Sequence, residues 1–172
     1  TTTTTTTTTT HNPPPTATCL AIDINPEAVK LSNENAKRLG YGSDRYTALN
    51  IPISNFDIKR HGNDIGFDII ISNPPYIPKS DMDALPKTVL NYEDYDALCG
   101  GDDGLDVVNV ILEKFSSLTK NRKNPQLFME VDSSHPMLLM NREKINGQND
   151  SFVMMIHKDF SGTDRFISLS QR

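Results

Sequence analysis

Apolar and polar positions organise the chain from Ala17 onward. The run ATCLAIDI, Ala17 to Ile24, has the short apolar character of a buried parallel strand that ends at Asp23. A helix is predicted to follow at once. Asn25 can cap it, Pro26 suits its first position, Glu27 complements the positive helix end, and Gly40 can terminate it after Leu39. Val29, Ala36 and Leu39 mark its predicted inner face. A weaker strand at Tyr46 to Leu49 leads into a polar, turn-prone stretch, after which Phe67 to Ile71 reads as a central strand. Residues Pro78 to Gly104 are rich in polar and turn types and read as a long ordered loop, a length that commonly carries function. Val108, Ile111, Leu112 and Phe115 give Leu105 to Leu118 helical spacing, and Gln126 to Val131 forms another apolar strand. A further helix is predicted at Pro136 to Lys144. Phe152 to His157 and Arg165 to Leu169, joined by a turn at Ser161-Gly162, predict a closing antiparallel pair. Alternating strands and helices make this an open α/β sheet.

Upstream of Ala17 the pattern stops. Thr1 to Thr10 are all threonine, and His11-Asn12-Pro13-Pro14-Pro15 follows. Such a run has no apolar face to bury, so residues 1–16 are expected to be disordered and 17–172 to form the folded part. A chain of 172 residues with 36% hydrophobic and 23% charged content suffices for one domain with a core. The net charge of -5 argues against a nucleic-acid backbone as main partner, since phosphate binding usually leaves a basic surface. Cys19 and Cys99 are too few for a disulfide framework or a zinc knuckle, which favours a reducing compartment. No apolar run approaches the roughly 20 residues of a membrane span, and neither a membrane partner nor a targeting leader is expected. A monomer is expected.

Ligands of open α/β sheets gather at the carboxyl ends of the strands. Asp23 ends its strand where a carboxylate could accept hydrogen bonds from both hydroxyls of a ribose, although an acid there could equally just precede a helix cap. The second strand end is more specific. It carries ISNPPYIP, Ile71 to Pro78. An amide or ring-amine nitrogen is a poor nucleophile because its lone pair is delocalised, so a site that alkylates it must supply acceptors and hold its plane. The Asn73 side-chain oxygen and the Pro74 carbonyl could each accept one N–H of an NH2 group. Pro74 and Pro75 stiffen that geometry, and Tyr76 can stack on a planar target with few rotatable bonds. Asn-Pro-Pro-Tyr is also a plausible tight turn. Its place after a buried strand, downstream of Asp23, favours function, and this chemistry requires no metal.

Asp23, ISNPPYIP and the later run NYEDYDALCGGDDGLD together resemble the HemK-type (PrmC-like) glutamine methyltransferases that modify peptide-chain release factors. The resemblance covers about Ala17 to the C-terminus. NPPY alone is shared with adenine-N6 methyltransferases of DNA and RNA, whereas Tyr92-Glu93-Asp94, Ala97-Leu98 and Gly100 to Asp106 favour the glutamine family. FMEVDSSHP at Phe128 to Pro136 and KDFSGTDRF at Lys158 to Phe166 are similar to its animal mitochondrial branch, which implies a mitochondrial location and otherwise a cytoplasmic one. The resemblance implies a class I, Rossmann-like methyltransferase sheet with S-adenosylmethionine as cofactor. It implies transfer of a methyl group to the glutamine side chain of the release factor's Gly-Gly-Gln loop. Asn73, Pro74, Pro75 and Tyr76 would hold that glutamine, with Asn73, Pro74 and Tyr76 as the catalytic set. Asp23 would hold the cofactor ribose, Asn50 and Ile51 would lie near its adenine, and Asn73 would also meet the cofactor. Asp102, Asp103 and Asp106 read as caps or dipole partners of the following helix. His61, His135 and His157 lack ligand spacing, and Cys99 reads as a packed or idle thiol.

One departure stands beside the match. The glycine-rich loop of the family, which cradles the methionine part of the cofactor, should precede Asp23, yet no glycine occurs before Gly40. A parallel crossover needs a dozen or more residues, and the six between Thr10 and Ala17 include three prolines. The sheet is therefore expected to lack its first strand, the common neighbour of the strands ending at Asp23 and before Asn73. Three readings remain open: a glutamine methyltransferase, a nucleic-acid adenine methyltransferase, and a non-catalytic remnant that binds the release factor.

Overall fold

A computed structural model of the protein describes residues 17–62, 65–120, 124–146 and 152–171. The expectation of disorder for residues 1–16 lies outside the described residues. Two compact units divide the chain between Pro52 and Ile53.

The first unit is a parallel pair with its crossover helix: β1 (Cys19–Asp23), α1 (Pro26–Arg38) and β2 (Tyr46–Asn50). Cys19 lies opposite Tyr46 and Asp23 opposite Asn50, so both strands end together. The predicted cap forms, with the Asn25 side-chain oxygen accepting from the Glu27 and Ala28 N–H groups at 2.9 and 3.4 Å. Asn33 reaches from α1 to β2, where its amide donates to the Ala48 carbonyl at 3.0 Å and accepts from the Ala48 N–H at 2.9 Å. It thus satisfies backbone groups on the strand side away from β1. Ser32 and Tyr46 add a third hydrogen bond between the two elements. Of the predicted inner face, Ala36 is buried and Val29 half-buried, whereas Leu39 is 74% exposed. Leu39 is the helix cap, and the chain turns away there into Gly40 at φ 84°.

The second unit opens with a 3-10 turn (Ile53–Asn55) and α2 (Ile58–His61), which Asp57 caps through the Lys59 and Arg60 N–H groups at 2.8 and 3.1 Å. Its elements continue with β3 (Ile70–Ser72), α3 (Lys87–Leu90), α4 (Tyr95–Leu98), α5 (Asp106–Leu118), β4 (Leu127–Glu130), α6 (His135–Asn146), β5 (Phe152–Lys158) and β6 (Asp164–Gln171). The strands stand in the order β3-β4-β6-β5, parallel between β3 and β4 and antiparallel thereafter. The predicted closing pair is β5 with β6. Val108, Ile111 and Phe115 of α5 bury against Leu127, Met129, Ile167 and Leu169, and Phe115 meets Phe152 edge-on at 6.0 Å. Alternation along β4 sends Leu127 and Met129 into this core and Phe128 and Glu130 to the other face.

Two expectations change. The strand predicted from Phe67 begins only at Ile70, because Phe67 pairs separately with Thr119 after a turn at Gly66. It is also an edge strand rather than a central one. Among the described residues β3 pairs with β4 alone, and Ile71 is left 83% exposed. The long loop is partly regular, since it holds a 3-10 turn (Lys79–Ala84) as well as α3 and α4. No helix among the described residues is long and apolar enough to cross a membrane.

Replacing Phe115, 0% exposed, by alanine should remove about 3–5 kcal/mol of stability in urea unfolding followed by far-UV circular dichroism. Leu39→Ala should change it by about 0.5 kcal/mol or less.

Candidate active site

Ser72 ends β3 and delivers Asn73 at the carboxyl end of the strand, where the sequence places it. Asn73 is exposed, Pro74 is buried, and Pro75 and Tyr76 are half-buried. The amide is therefore presented to solvent by a backbone that is anchored one residue later. Beside it lies an open cavity of about 190 Å³, walled by Ile71, Phe128 and Phe166 and bordered by Asn73 and Glu130. Apolar walls with one amide and one carboxylate suit a planar group that is itself part polar.

The way out of the motif is tied to the loop before α5. Ile77 donates to the Leu98 carbonyl at 3.0 Å and accepts from the Gly100 N–H at 2.9 Å, and Lys79 donates to the Gly101 carbonyl at 2.8 Å. Two glycines allow this approach. A Cβ placed on Gly100 would lie 2.7 Å from the Pro75 carbonyl oxygen, and one on Gly104 would overlap the Tyr76 carbonyl oxygen. The loop is held in turn by the buried His135, whose Nε2 lies 3.1 Å from the Asp103 carbonyl, and by the Asp106 N–H, which donates to Gly100 at 2.9 Å. Asp106 sits in the first turn of α5 as a dipole partner, whereas Asp103 accepts from the Leu105 N–H at 3.0 Å just before the helix, whose cap residue is Leu105 and carries no side-chain cap bond.

Tyr76 is held at its hydroxyl. It donates to Glu130 Oε1 at 3.0 Å, while Arg165 Nη2 donates at 2.9 Å both to the tyrosine oxygen and to the same carboxylate oxygen. The guanidinium carbon lies 5.5 Å from the ring centroid, a cation–π distance. Burial, reinforced by the bond to Glu130, raises the Tyr76 pKa above its ordinary value, so the group stays a neutral phenol. The bond to Glu130 raises Arg165 in turn. Sequence reasoning missed both partners. The signal was an acid at the end of β4, the same signal that marked Asp23.

In the first unit Asp23 is exposed at the end of β1, with Oδ1 accepting from the Asn25 N–H at 2.7 Å. Asn50 donates through Nδ2 to the Asp23 and Ile24 carbonyls at 3.0 and 2.8 Å, and Ile51 donates to the Asp23 carbonyl at 3.1 Å. Asn50 thereby braces the segment that Asp23 ends. Among the described residues no group of three His, Cys, Asp or Glu side chains could hold a metal ion. His157 bonds Ser168 at 2.7 Å and His61 faces the Asp57 backbone at 3.1 Å, both structural.

Comparison with known proteins settles the lineage. Residues 32–127, more than half of the chain, match the family model described as Eco57I restriction-modification methylase. A human protein named MTRF1L release factor glutamine methyltransferase is 31% identical over 150 residues, 87% of this chain and 44% of its own. The chain belongs to the release factor glutamine methyltransferase family. A ribosomal protein uL3 glutamine methyltransferase of Francisella tularensis is 38% identical over 124 residues, 72% of this chain and 36% of its own. The chain thus spans less than half the length of these curated relatives. Among solved structures, an rRNA methylase from Streptococcus thermophilus aligns over 90% of this chain and 73% of its own, with a TM-score of 0.52 and 11% identity. That likeness establishes the class I methyltransferase fold.

Gly104→Ala, at φ 76° and against the Tyr76 carbonyl, should destabilise by about 1–3 kcal/mol from overpacking beyond the cost of its backbone. Gly162→Ala, at φ 83° with nothing within 4 Å, should show only the backbone cost of about 1–2 kcal/mol in the same urea titration.

Proposed function

We propose that this chain serves methylation of the side-chain amide nitrogen of the glutamine in a release factor's Gly-Gly-Gln loop. The observation that carries the reading is an exposed Asn73 at a strand end, beside an apolar cavity and next to a tyrosine locked by its hydroxyl. The Asn73 side-chain oxygen and the Pro74 carbonyl each accept one N–H of the target amide, which fixes its plane and increases electron density on nitrogen. Pro74 and Pro75 resist rotation of that acceptor pair, and Tyr76 supplies a flat apolar face for the amide. When bound, S-adenosylmethionine supplies an electrophilic methyl group. Asp23 would accept from its ribose hydroxyls, and Ile51 would flank its adenine along the segment that Asn50 braces.

Relatives named for glutamine and a net charge of -5 support an amide over an adenine. The relative that modifies a ribosomal protein keeps the amide chemistry and changes the partner, so uL3 is the second candidate substrate. Similarity of FMEVDSSHP and KDFSGTDRF to the animal mitochondrial branch supports a mitochondrial location.

The test incubates full-length protein with methyl-labelled S-adenosylmethionine and, separately, a release-factor Gly-Gly-Gln domain, a uL3 protein and adenine-containing oligonucleotides. Label on the Gly-Gly-Gln glutamine is expected. Label on adenine, or on no substrate, overturns the reading. Asn73→Ala should lower kcat on the release factor by about 100-fold or more, the scale of a misplaced reacting group. Asp23→Ala should instead raise KM for the cofactor and leave binding of the Gly-Gly-Gln domain unchanged, as calorimetry would show.

A further inference from the structure

We propose that Glu130 and Arg165 are positioning residues that aim the Tyr76 ring at the planar substrate group by holding its hydroxyl. This rests on the reading of Asn73 to Tyr76 as the acceptor site. Three neighbouring strands supply the three side chains: Tyr76 follows β3, Glu130 ends β4 and Arg165 stands at the start of β6. The backbone locks the last two together, since the Val131 N–H donates to the Arg165 carbonyl at 3.0 Å.

The hydroxyl lies on the long axis of the ring, so its bonds to Glu130 and Arg165 fix where the ring points. The guanidinium carbon stands 5.5 Å from the ring centroid, toward the hydroxyl end, where its charge adds to that hold. Glu130 has a second role at no extra distance, for it borders the cavity beside Asn73 as well as binding the tyrosine.

The magnitude of the ion pair argues for geometry over stability. Arg165 and Glu130 side chains remain 31% and 27% exposed, and pairs of that exposure contribute little to folding. A rigid planar guanidinium serves both oxygens from one nitrogen in a fixed direction, which an ammonium on a flexible stem does less well. Phenylalanine at position 76 would keep the stacking surface and lose the aim.

Steady-state kinetics of full-length protein on a Gly-Gly-Gln domain test this with Y76F, R165A, E130Q, R165K, Y76A and the double variant Y76F/R165A. Far-UV circular dichroism checks that each folds, and E130Q keeps the packing if R165A does not. Y76F, R165A and E130Q are each expected to lower kcat/KM for the domain about tenfold, with KM for S-adenosylmethionine unchanged, and R165K to recover part of the loss. If Arg165 acts through the tyrosine, the double variant should be no worse than the poorer single one. Losses that multiply to about 100-fold, or a cofactor KM that moves with them, overturn the positioning role. A damaging Y76A beside harmless R165A and E130Q sinks the clamp and spares the acceptor site, whereas a harmless Y76A sinks both.

Discussion

The close approach of Gly100 and Gly104 to the carbonyls of Pro75 and Tyr76 is the contact on which the site depends. Side-chain acceptors can hold an amide plane only if their own backbone is fixed, and β3 contributes just three residues of strand before Asn73. The remaining rigidity comes from the loop pressed against the motif's far side. That loop is coupled to α5 through the Asp106 N–H and to α6 through His135, and α5 carries Val108, Ile111 and Phe115 into the core. Burial of apolar surface tens of residues away in sequence is thereby transmitted to the angle at which one asparagine is presented.

The same arrangement explains the distribution of exposed apolar surface. Alternation along β3 and β4 requires one residue in two to leave the core. With α5 on one face, Ile71, Phe128 and Phe166 emerge on the other, and there they wall the cavity beside Asn73. Those side chains are exposed at an energetic cost, but they provide the apolar wall that a planar ligand requires.

Legibility from sequence followed the range of the interaction. The cap of α1, its stop at Gly40, the period of α5 and the β5–β6 pair each depend on residues close in the chain, and each was readable. Leu39 was misassigned because the periodic signal cannot say on which turn a helix stops, and one residue past the end reverses its side. The length and edge position of β3 depend on which strands lie beside it, which hydrophobicity does not encode. The placement of Asp23 and Asn73 at strand ends was legible because an apolar run closing on a polar residue is a local pattern. The partners of Tyr76 lie 54 and 89 residues along the chain, and no spacing rule connects them. Gly100 and Gly104 were visible as a glycine cluster, but their purpose appears only once a carbonyl is seen where a Cβ would stand.

Asn-Pro-Pro-Tyr cannot by itself choose between glutamine and adenine, because both present an NH2 group on a planar conjugated system and both need two acceptors and a stacking face. The match to the restriction-modification methylase model ends at Leu127, so it includes the motif and the glycine loop but stops short of Glu130 and Arg165. Asn73 to Tyr76 and Gly100 to Gly104 lie inside the matched residues, and Glu130 and Arg165 lie outside them. An amide is smaller than a purine and offers less area to stack, so it gains more from a ring already fixed in direction. On this argument the clamp at Tyr76 belongs to substrate selection, and the motif it grips belongs to the chemistry.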